Sequence, residues 1–189
     1  TAAVTFGAAK TGALTTSGDI TTTNDNVTFT RAVTLGGDVD IDTGGASAGN
    51  ILFSSTIATG GNDLDLDAGT AGNVTISSAL TGGGDLTITD GAVQAYDALT
   101  VNSLTISDAT TSITFGGAIA STAAIDVDSG GTIVLNAAIT SATTVALDAT
   151  GVTTLAAAGD MSGTGAIAFG AAKSGTLTTS GDITTTNDN

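Results

Sequence analysis

Residues 27–45 read VTFTRAVTLGGDVDIDTGG, and residues 51–70 repeat the same plan as ILFSSTIATGGNDLDLDAGT. Each stretch holds three short segments in which apolar and polar residues alternate, with paired glycines at a corner. A period of two is typical of a strand with one buried face, and glycine is the residue that turns a corner at least cost. Each stretch therefore predicts three short strands in a unit of about 20 residues.

The same plan recurs along the whole chain. The first segment is an apolar–x–apolar triplet that begins at Val4, Val27, Ile51, Val74, Ile113, Ile133 and Ile167, with weaker copies at residues 99–101 and 153–155. The second segment begins at Val39, Leu64, Leu86, Leu104, Ile125 and Val145, and a short third segment lies between them. This spacing predicts an all-β fold, a parallel β-solenoid (β-helix) of 8–9 coils and about 40 Å in length. An antiparallel sandwich also has short strands, but it does not keep one register through consecutive units.

The phenylalanines occupy one position of the repeat. They are predicted to form an inward stack along the axis, each contributing about 1.5–3 kcal/mol by burial, and they are Phe6, Phe29, Phe53, Phe115 and Phe169.

Composition excludes several function classes. The 189 residues carry a formal net charge of −15, every acidic residue is Asp, and the basic residues are Lys10, Arg31 and Lys173. Because the chain has no His and no Cys, it has no imidazole or thiol catalysis, zinc site or disulfide. The charge has the wrong sign for nucleic acid, and no apolar run is long enough to insert in a membrane. With 41% hydrophobic residues, the chain is expected to fold.

A longer repeat joins the two ends of the sequence. Residues 164–189 match residues 1–26 at 21 of 26 positions. We interpret residues 1–163 as one tandem unit and residues 164–189 as the start of the next, so that flanking copies of the repeat are the expected partners. Lys10 and Lys173 are equivalent positions, for which we expect a shared structural contact.

In pattern and composition, copies such as those at residues 27–45 and 51–70 make the chain resemble the β-strand repeats of large bacterial surface and secreted proteins. These are filamentous-haemagglutinin-like adhesins, autotransporter passenger regions and giant tandem-repeat proteins. The resemblance implies a right-handed β-helix, export from a bacterium, and a structural role at the cell surface or outside the cell. That role would be a non-catalytic unit of a stalk, adhesin or extracellular fibre.

Asp is the only residue type that suggests a site. Aligned strands predict three files of carboxylates: Asp19, Asp38, Asp63 and Asp85; then Asp40 and Asp65; then Asp42 and Asp67, with Asp128 and Asp148 further along. Like charges one strand spacing apart repel each other, and calcium accepts many carboxylate oxygens with flexible geometry. Calcium is thus the candidate metal and cofactor, although none is required, because the alternative is a solvated acidic face that keeps the rod soluble.

The same residues bear on other functions. Pairs such as Asp40 with Asp65 could act on glycosides, but no long loop builds a cleft, so we predict that the protein is not an enzyme. An ice-binding face would need a Thr-x-Thr motif at the same place in every coil, which the sequence lacks. The alternatives that stay open are a subunit that self-assembles laterally or end to end into a filament, sheath or surface layer, and a carbohydrate- or receptor-binding β-helix. Tyr96 is expected to be free, in an irregular coil near residues 91–101.

Overall fold

Apolar and polar residues that alternate in the sequence point alternately to the core and to solvent in the structure. In the strand Val27–Phe29 both apolar side chains are buried, while Thr28 between them faces outward. A computed structural model describes residues 3–7, 11–46, 49–141, 143–170 and 173–186. Within these ranges the chain is all β, and strands of mostly two to five residues follow one another around the three sides of a coil.

The three sides are named here by their most distinctive side chains. The Phe face consists of β1 (Val4–Phe6), β4 (Val27–Phe29), β7 (Ile51–Phe53), β10 (Val74–Ile76), the last part of β12 (Leu86–Tyr96), the last part of β14 (Leu104–Phe115), β17 (Thr132–Leu135), β20 (Val152–Leu155) and β23 (Thr176–Thr179). The Thr face consists of β2 (Leu14–Thr16), β5 (Val33–Leu35), β8 (Ile57–Ala58), β11 (Leu80–Thr81), β13 (Leu99–Val101), β15 (Ile119–Ser121), β18 (Ile139–Ser141), β21 (Met161–Gly163) and β24 (Ile183–Thr185). The Asp face consists of β3 (Ile20–Thr21), β6 (Val39–Asp42), β9 (Leu64–Asp67), the first parts of β12 and β14, β16 (Ile125–Ser129), β19 (Val145–Ala149) and β22 (Ile167–Phe169).

Each strand pairs in parallel with the strand of the same face in the next coil. Val27, for example, lies opposite Val4 on one side and Ile51 on the other. The solenoid has about 8 turns of about 21 residues each, and the predicted parallel solenoid with three strands per coil is confirmed. No helix in the described ranges has the length and apolar character of a membrane span.

Aromatic rings stack along the inside of the Phe face. The ring centroids of Phe6 and Phe29 are 4.8 Å apart, and those of Phe29 and Phe53 are 4.5 Å apart with the planes 2° from parallel. Phe115 is fully buried further along the same file. This spacing follows from the ladder, because strands about 4.8 Å apart bring identical side chains to the distance at which rings stack.

Phe169 does not belong to this stack, and the prediction that placed it there was wrong. It lies on the Asp face, opposite Leu147. Between Ile133 and Ile167 the chain completes one coil, up to Thr153, and then adds two faces rather than a second full coil. Every face uses the same inward–outward–inward alternation, so the same sequence can occupy any of them.

The whole second copy of the repeat is displaced in the same way. The copy of β1 is β22 on the Asp face, the copy of β2 falls in β23 on the Phe face, and the copy of β3 is β24 on the Thr face. The distance along the chain from Val4 to its equivalent Ile167 therefore equals eight coils less one face. Two segments that are nearly identical in sequence are turned by one face about the rod axis.

The coil around residues 91–101 also differs from expectation. Gln94, Ala95 and Tyr96 continue the Phe face between β10 and β14, whereas Leu99–Val101, the predicted member, lies on the Thr face. Tyr96 is not free: it is 3% exposed, and its hydroxyl donates to Gln94 Oε1 at 2.7 Å. Desolvation raises its pKa well above the usual value. A polar pair thus replaces two apolar side chains inside the rod.

We predict that Phe29→Ala lowers the free energy of unfolding by about 3–5 kcal/mol, because Phe29 is 1% exposed between two rings. Phe169→Ala is the matched control, since Phe169 is only half-buried and should lose clearly less. Urea unfolding followed by circular dichroism measures both. Equal losses would contradict the two different environments.

Candidate functional site

At the centre of each strand one side chain points to solvent, and only on the Asp face are any of these side chains charged. On the Thr face the outward file contains no charged residue: Thr15, Thr34, Ala58, Thr81, Thr100, Ala120, Thr140, Ser162 and Thr184. The outward file of the Phe face is also uncharged: Thr5, Thr28, Leu52, Thr75, Ala95, Thr114, Val134, Thr154 and Thr178. These two Thr-rich files were missed from the sequence because a single Thr per coil is not a Thr-x-Thr motif.

The Asp face brings several predicted carboxylates into register. Asp40 lies opposite Asp65, and Asp42 lies opposite Asp67. Asp67 is followed by Asp90 in the next coil, an acid that the sequence alignment had not placed in this file. Further along, Asp128 lies opposite Asp148. Like charges directly opposite each other on neighbouring strands are destabilising.

At the corner before the Asp face, the carboxylates accept hydrogen bonds from the next coil. Asp38 Oδ1 accepts a hydrogen bond from the backbone N–H of Asp63 at 2.9 Å, and Asp63 Oδ1 accepts one from the N–H of Asp85 at 2.9 Å. Asp85 Oδ1 in turn accepts from Asn102 Nδ2 and from the N–H and hydroxyl of Ser103. Each carboxylate therefore satisfies a backbone donor of the following coil, which offsets the repulsion between the aspartates.

Asp19 stands one residue out of this file. Ile20 pairs with Ile41, so Asp19 lies beside Asp40, whose N–H donates to Asp19 Oδ1 at 3.1 Å. The predicted column of four therefore holds Asp38, Asp63 and Asp85. The first coil enters the Asp face with a different corner, and the sequence alignment could not detect a shift of one residue there.

A parallel ladder of asparagines at the corner before the Phe face was overlooked. Asn26 Oδ1 accepts from the N–H of Asn50, Asn50 Oδ1 from the N–H of Asn73, and Asn73 Oδ1 from the N–H of Val93, at 2.8, 2.8 and 3.1 Å. The available signal was positional, since each Asn directly precedes a strand of the Phe face. Asn and Asp thus do the same work at two corners of the coil.

The electrostatic environment separates the two kinds of aspartate. Hydrogen bonds from Asn102 and Ser103 lower the pKa of Asp85. Partial burial raises the pKa of Asp40, and so do, in decreasing order, the charges of Asp65, Asp19, Asp42 and Asp67. The pKa values of Asp90 and Asp126 are also raised, first by burial and then by neighbouring carboxylates. The corner carboxylate of Asp85 is stabilised as an anion, whereas several carboxylates on the flat face are not.

Asp148, which lies opposite Asp128, is the most enclosed carboxylate of the Asp face. Asp148 is 7% exposed, and its buried Oδ1 has no hydrogen-bond partner among the residues that the structure describes. Lys173 Nζ lies 3.7 Å from Asp128 Oδ1. Lys173 thus has a structural contact, while its equivalent Lys10 lies outside the described residues, so the predicted shared contact stays a prediction.

No group of three or more carboxylates that could hold a metal ion occurs in the described part of the chain. Calcium takes six to eight oxygen ligands, so that water would have to complete any site on these files. Calcium binding stays a prediction. No protein-family model, curated protein or solved structure matches this chain.

We predict that Asp63→Ala lowers the free energy of unfolding by about 0.5–1.5 kcal/mol, because the N–H of Asp85 loses its acceptor. Asp63→Asn keeps the Oδ1 acceptor and should lose less. Asp65→Ala is the matched control: Asp65 is exposed and faces Asp40, so its removal relieves repulsion. Urea midpoints for the three variants test the ladder, which is refuted if Asp65→Ala is the most damaging.

We also predict that the urea midpoint falls as the pH rises above about 4. A carboxyl whose folded pKa is raised above its ordinary value of 3.8, as for Asp40, costs nothing below that value. Its ionisation then opposes folding as the pH passes the raised pKa. Asp90 and Asp126 add to this effect. Asp85 does not counter it, because the stabilisation from its lowered pKa is lost only at a pH below its ordinary value of 3.8. Asp40→Asn should flatten the fall, and an unchanged pH profile in this variant would count against the assignment.

Proposed function

We propose that this protein is a non-catalytic structural unit of a bacterial surface stalk, adhesin or extracellular fibre, in which it acts as a spacer. The observation that carries the proposal is the unbroken parallel ladder, which links each coil to the next on all three faces. Because neighbouring coils are joined by backbone hydrogen bonds, the length of such a rod grows in proportion to the number of coils.

The chemistry of the surface supports this role. Corner carboxylates and amides are occupied by backbone donors of the adjacent coil. Their hydrogen bonds hold the stack together at its edges, where strands end. The acids in register on the flat Asp face, such as Asp40 with Asp65 and Asp128 with Asp148, keep the rod hydrated.

A second candidate, self-assembly into a filament, sheath or surface layer, is favoured by one observation. The outward files of the Thr and Phe faces lack charge, in a chain with a net charge of −15. Flat uncharged faces can approach one another without the repulsion that two Asp faces would suffer. In this alternative the Thr face of one rod packs against that of a second copy.

One experiment separates the two. One, two or three copies of residues 1–163 are placed between a membrane anchor and a fluorescent tag on a bacterial surface. We predict that the distance from anchor to tag grows by about 37 Å per copy, because eight coils less one face add to the rod each time. Gly/Ser linkers of equal residue number are the control, because their span grows only with the square root of length.

A spacing that fails to grow linearly would overturn the spacer role. Concentration-dependent sedimentation of the purified chain, abolished by Thr100→Asp on the Thr face but not by Thr105→Asp on the Asp face, would favour self-assembly instead.

We further propose that calcium binds Asp128 and Asp148, because Asp148 carries a buried oxygen without a partner in the described part of the chain. At Asp128 the ion would have to replace the contact with Lys173. We predict that calcium at ten times its dissociation constant stabilises the fold by about 1.4 kcal/mol relative to chelator, measured as a rise in melting temperature. Asp148→Asn should remove this rise, and magnesium is the control ion. An unchanged melting temperature in millimolar calcium would end the proposal.

A further inference from the structure

We infer that the strands β22, β23 and β24 form a docking edge for a further copy of residues 27–46. Each strand of that copy would lie one face back, in chain order, from the face on which its equivalent lies in residues 27–46. The inference deepens the proposed function, on which it rests, by assigning how one unit joins the next. The occupant is named by the sequence itself, since residues 164–189 nearly repeat residues 1–26.

The two copies of the repeat have nearly the same sequence, but each is paired with a neighbouring coil on a different side. The first copy is covered by the coil that follows it: β1 pairs with β4, β2 with β5, and β3 with β6. The second copy is covered by the coil that precedes it: β22 pairs with β19, β23 with β20, and β24 with β21. Combining the two views gives a coil covered on both sides.

The apolar side chains at this edge are the ones that the following coil covers in the first copy. Leu177 and Ile183 are each 41% exposed, and they are the equivalents of Leu14 and Ile20. In the first copy Leu14 lies opposite Val33, and Ile20 lies opposite Ile41. The same partners in a further copy would remove Leu177 and Ile183 from water.

Aromatic and polar contacts lead to the same occupant. Phe6 stacks on Phe29 at 4.8 Å, so its equivalent Phe169 is placed to receive the Phe29 of a further copy. Asp160 Oδ1 already accepts from the N–H of Asp182. Asp182 is the equivalent of Asp19, whose carboxylate accepts from the N–H of Asp40, so that the corner ladder can continue.

The displacement by one face fixes the geometry of the junction. In the present coil the strand Val27–Phe29 lies on the Phe face, but its further copy would pair with β22 on the Asp face. The copies of β5 and β6 would then follow on the Phe and Thr faces. Successive units therefore turn by one third of a revolution.

The test extends the full chain by a second copy of residues 27–46 after Asn189. We expect the melting temperature to rise by roughly 5 °C or more, because three open strands gain partners. The matched control is the same extension carrying Val33→Asp and Val39→Asp, which places charges at inward positions and should give no rise. An equal rise with both extensions, or none with either, would overturn the docking edge.

The turn of one face is tested separately with nitroxide labels, since the chain contains no Cys. Labels at Ala146→Cys and Ala168→Cys should broaden each other strongly, because these residues are opposite each other on adjacent strands. Thr154→Cys with Ala168→Cys is the matched pair that would be adjacent if the second copy were not turned. Broadening in the second pair alone would show that the second copy is not displaced by one face. The proposed function would still stand if the spacing in the spacer experiment grew linearly.

Discussion

The structure depends on one constraint, the parallel pairing of every strand with the strand one coil away. Val27 donates its N–H to the carbonyl of Asn50, and Ile51 donates in turn to Asn73. This pairing fixes the register, and a slip by one residue would turn every inward side chain to solvent. Because the core is narrow and continuous, each inward position must hold an apolar or internally paired side chain. The stacked rings, the corner ladders and the three faces all follow from this repetition.

The same constraint explains why polar residues at the corners are stacked rather than dispersed. A strand that ends at a corner leaves a backbone donor without a partner in its own coil. The side chain of Asn50 or Asp63 in one coil supplies an acceptor to the next. An acidic file can therefore be part of the hydrogen-bonding scheme of the backbone, with no metal needed to explain why it exists. On the flat Asp face this explanation does not apply, and there partial burial first, and then the charges of neighbouring carboxylates, raise the pKa of Asp40.

Sequence periodicity was sufficient to predict the class of fold, the three strands of each coil and most of the aromatic file, because the pattern of burial has a period of two and the coil a nearly constant length. It failed where the length of a coil changes. Phe169 was misplaced because the gap between Ile133 and Ile167 can be divided into coils and faces in more than one way. Tyr96 was judged exposed because its neighbours break the apolar pattern, although its hydroxyl finds Gln94 within the core. Asp19 was misplaced by one residue at an atypical corner. The role of the candidate site could not be predicted from the sequence, because a file of aspartates has the same sequence pattern whether it binds a cation, water or backbone N–H groups.

Because a unit measures eight coils less one face, the acidic face would change position around a long fibre from one unit to the next. If unit follows unit in this way, the negative stripe winds around the shaft and returns to its starting side after three units, about 23 coils or roughly 110 Å. A flat surface lying along any side of the fibre would then contact charged and neutral patches in turn. Over three units, every side would carry the same charge. Such a shaft would have the same average appearance from every direction, even though each of its segments is strongly one-sided.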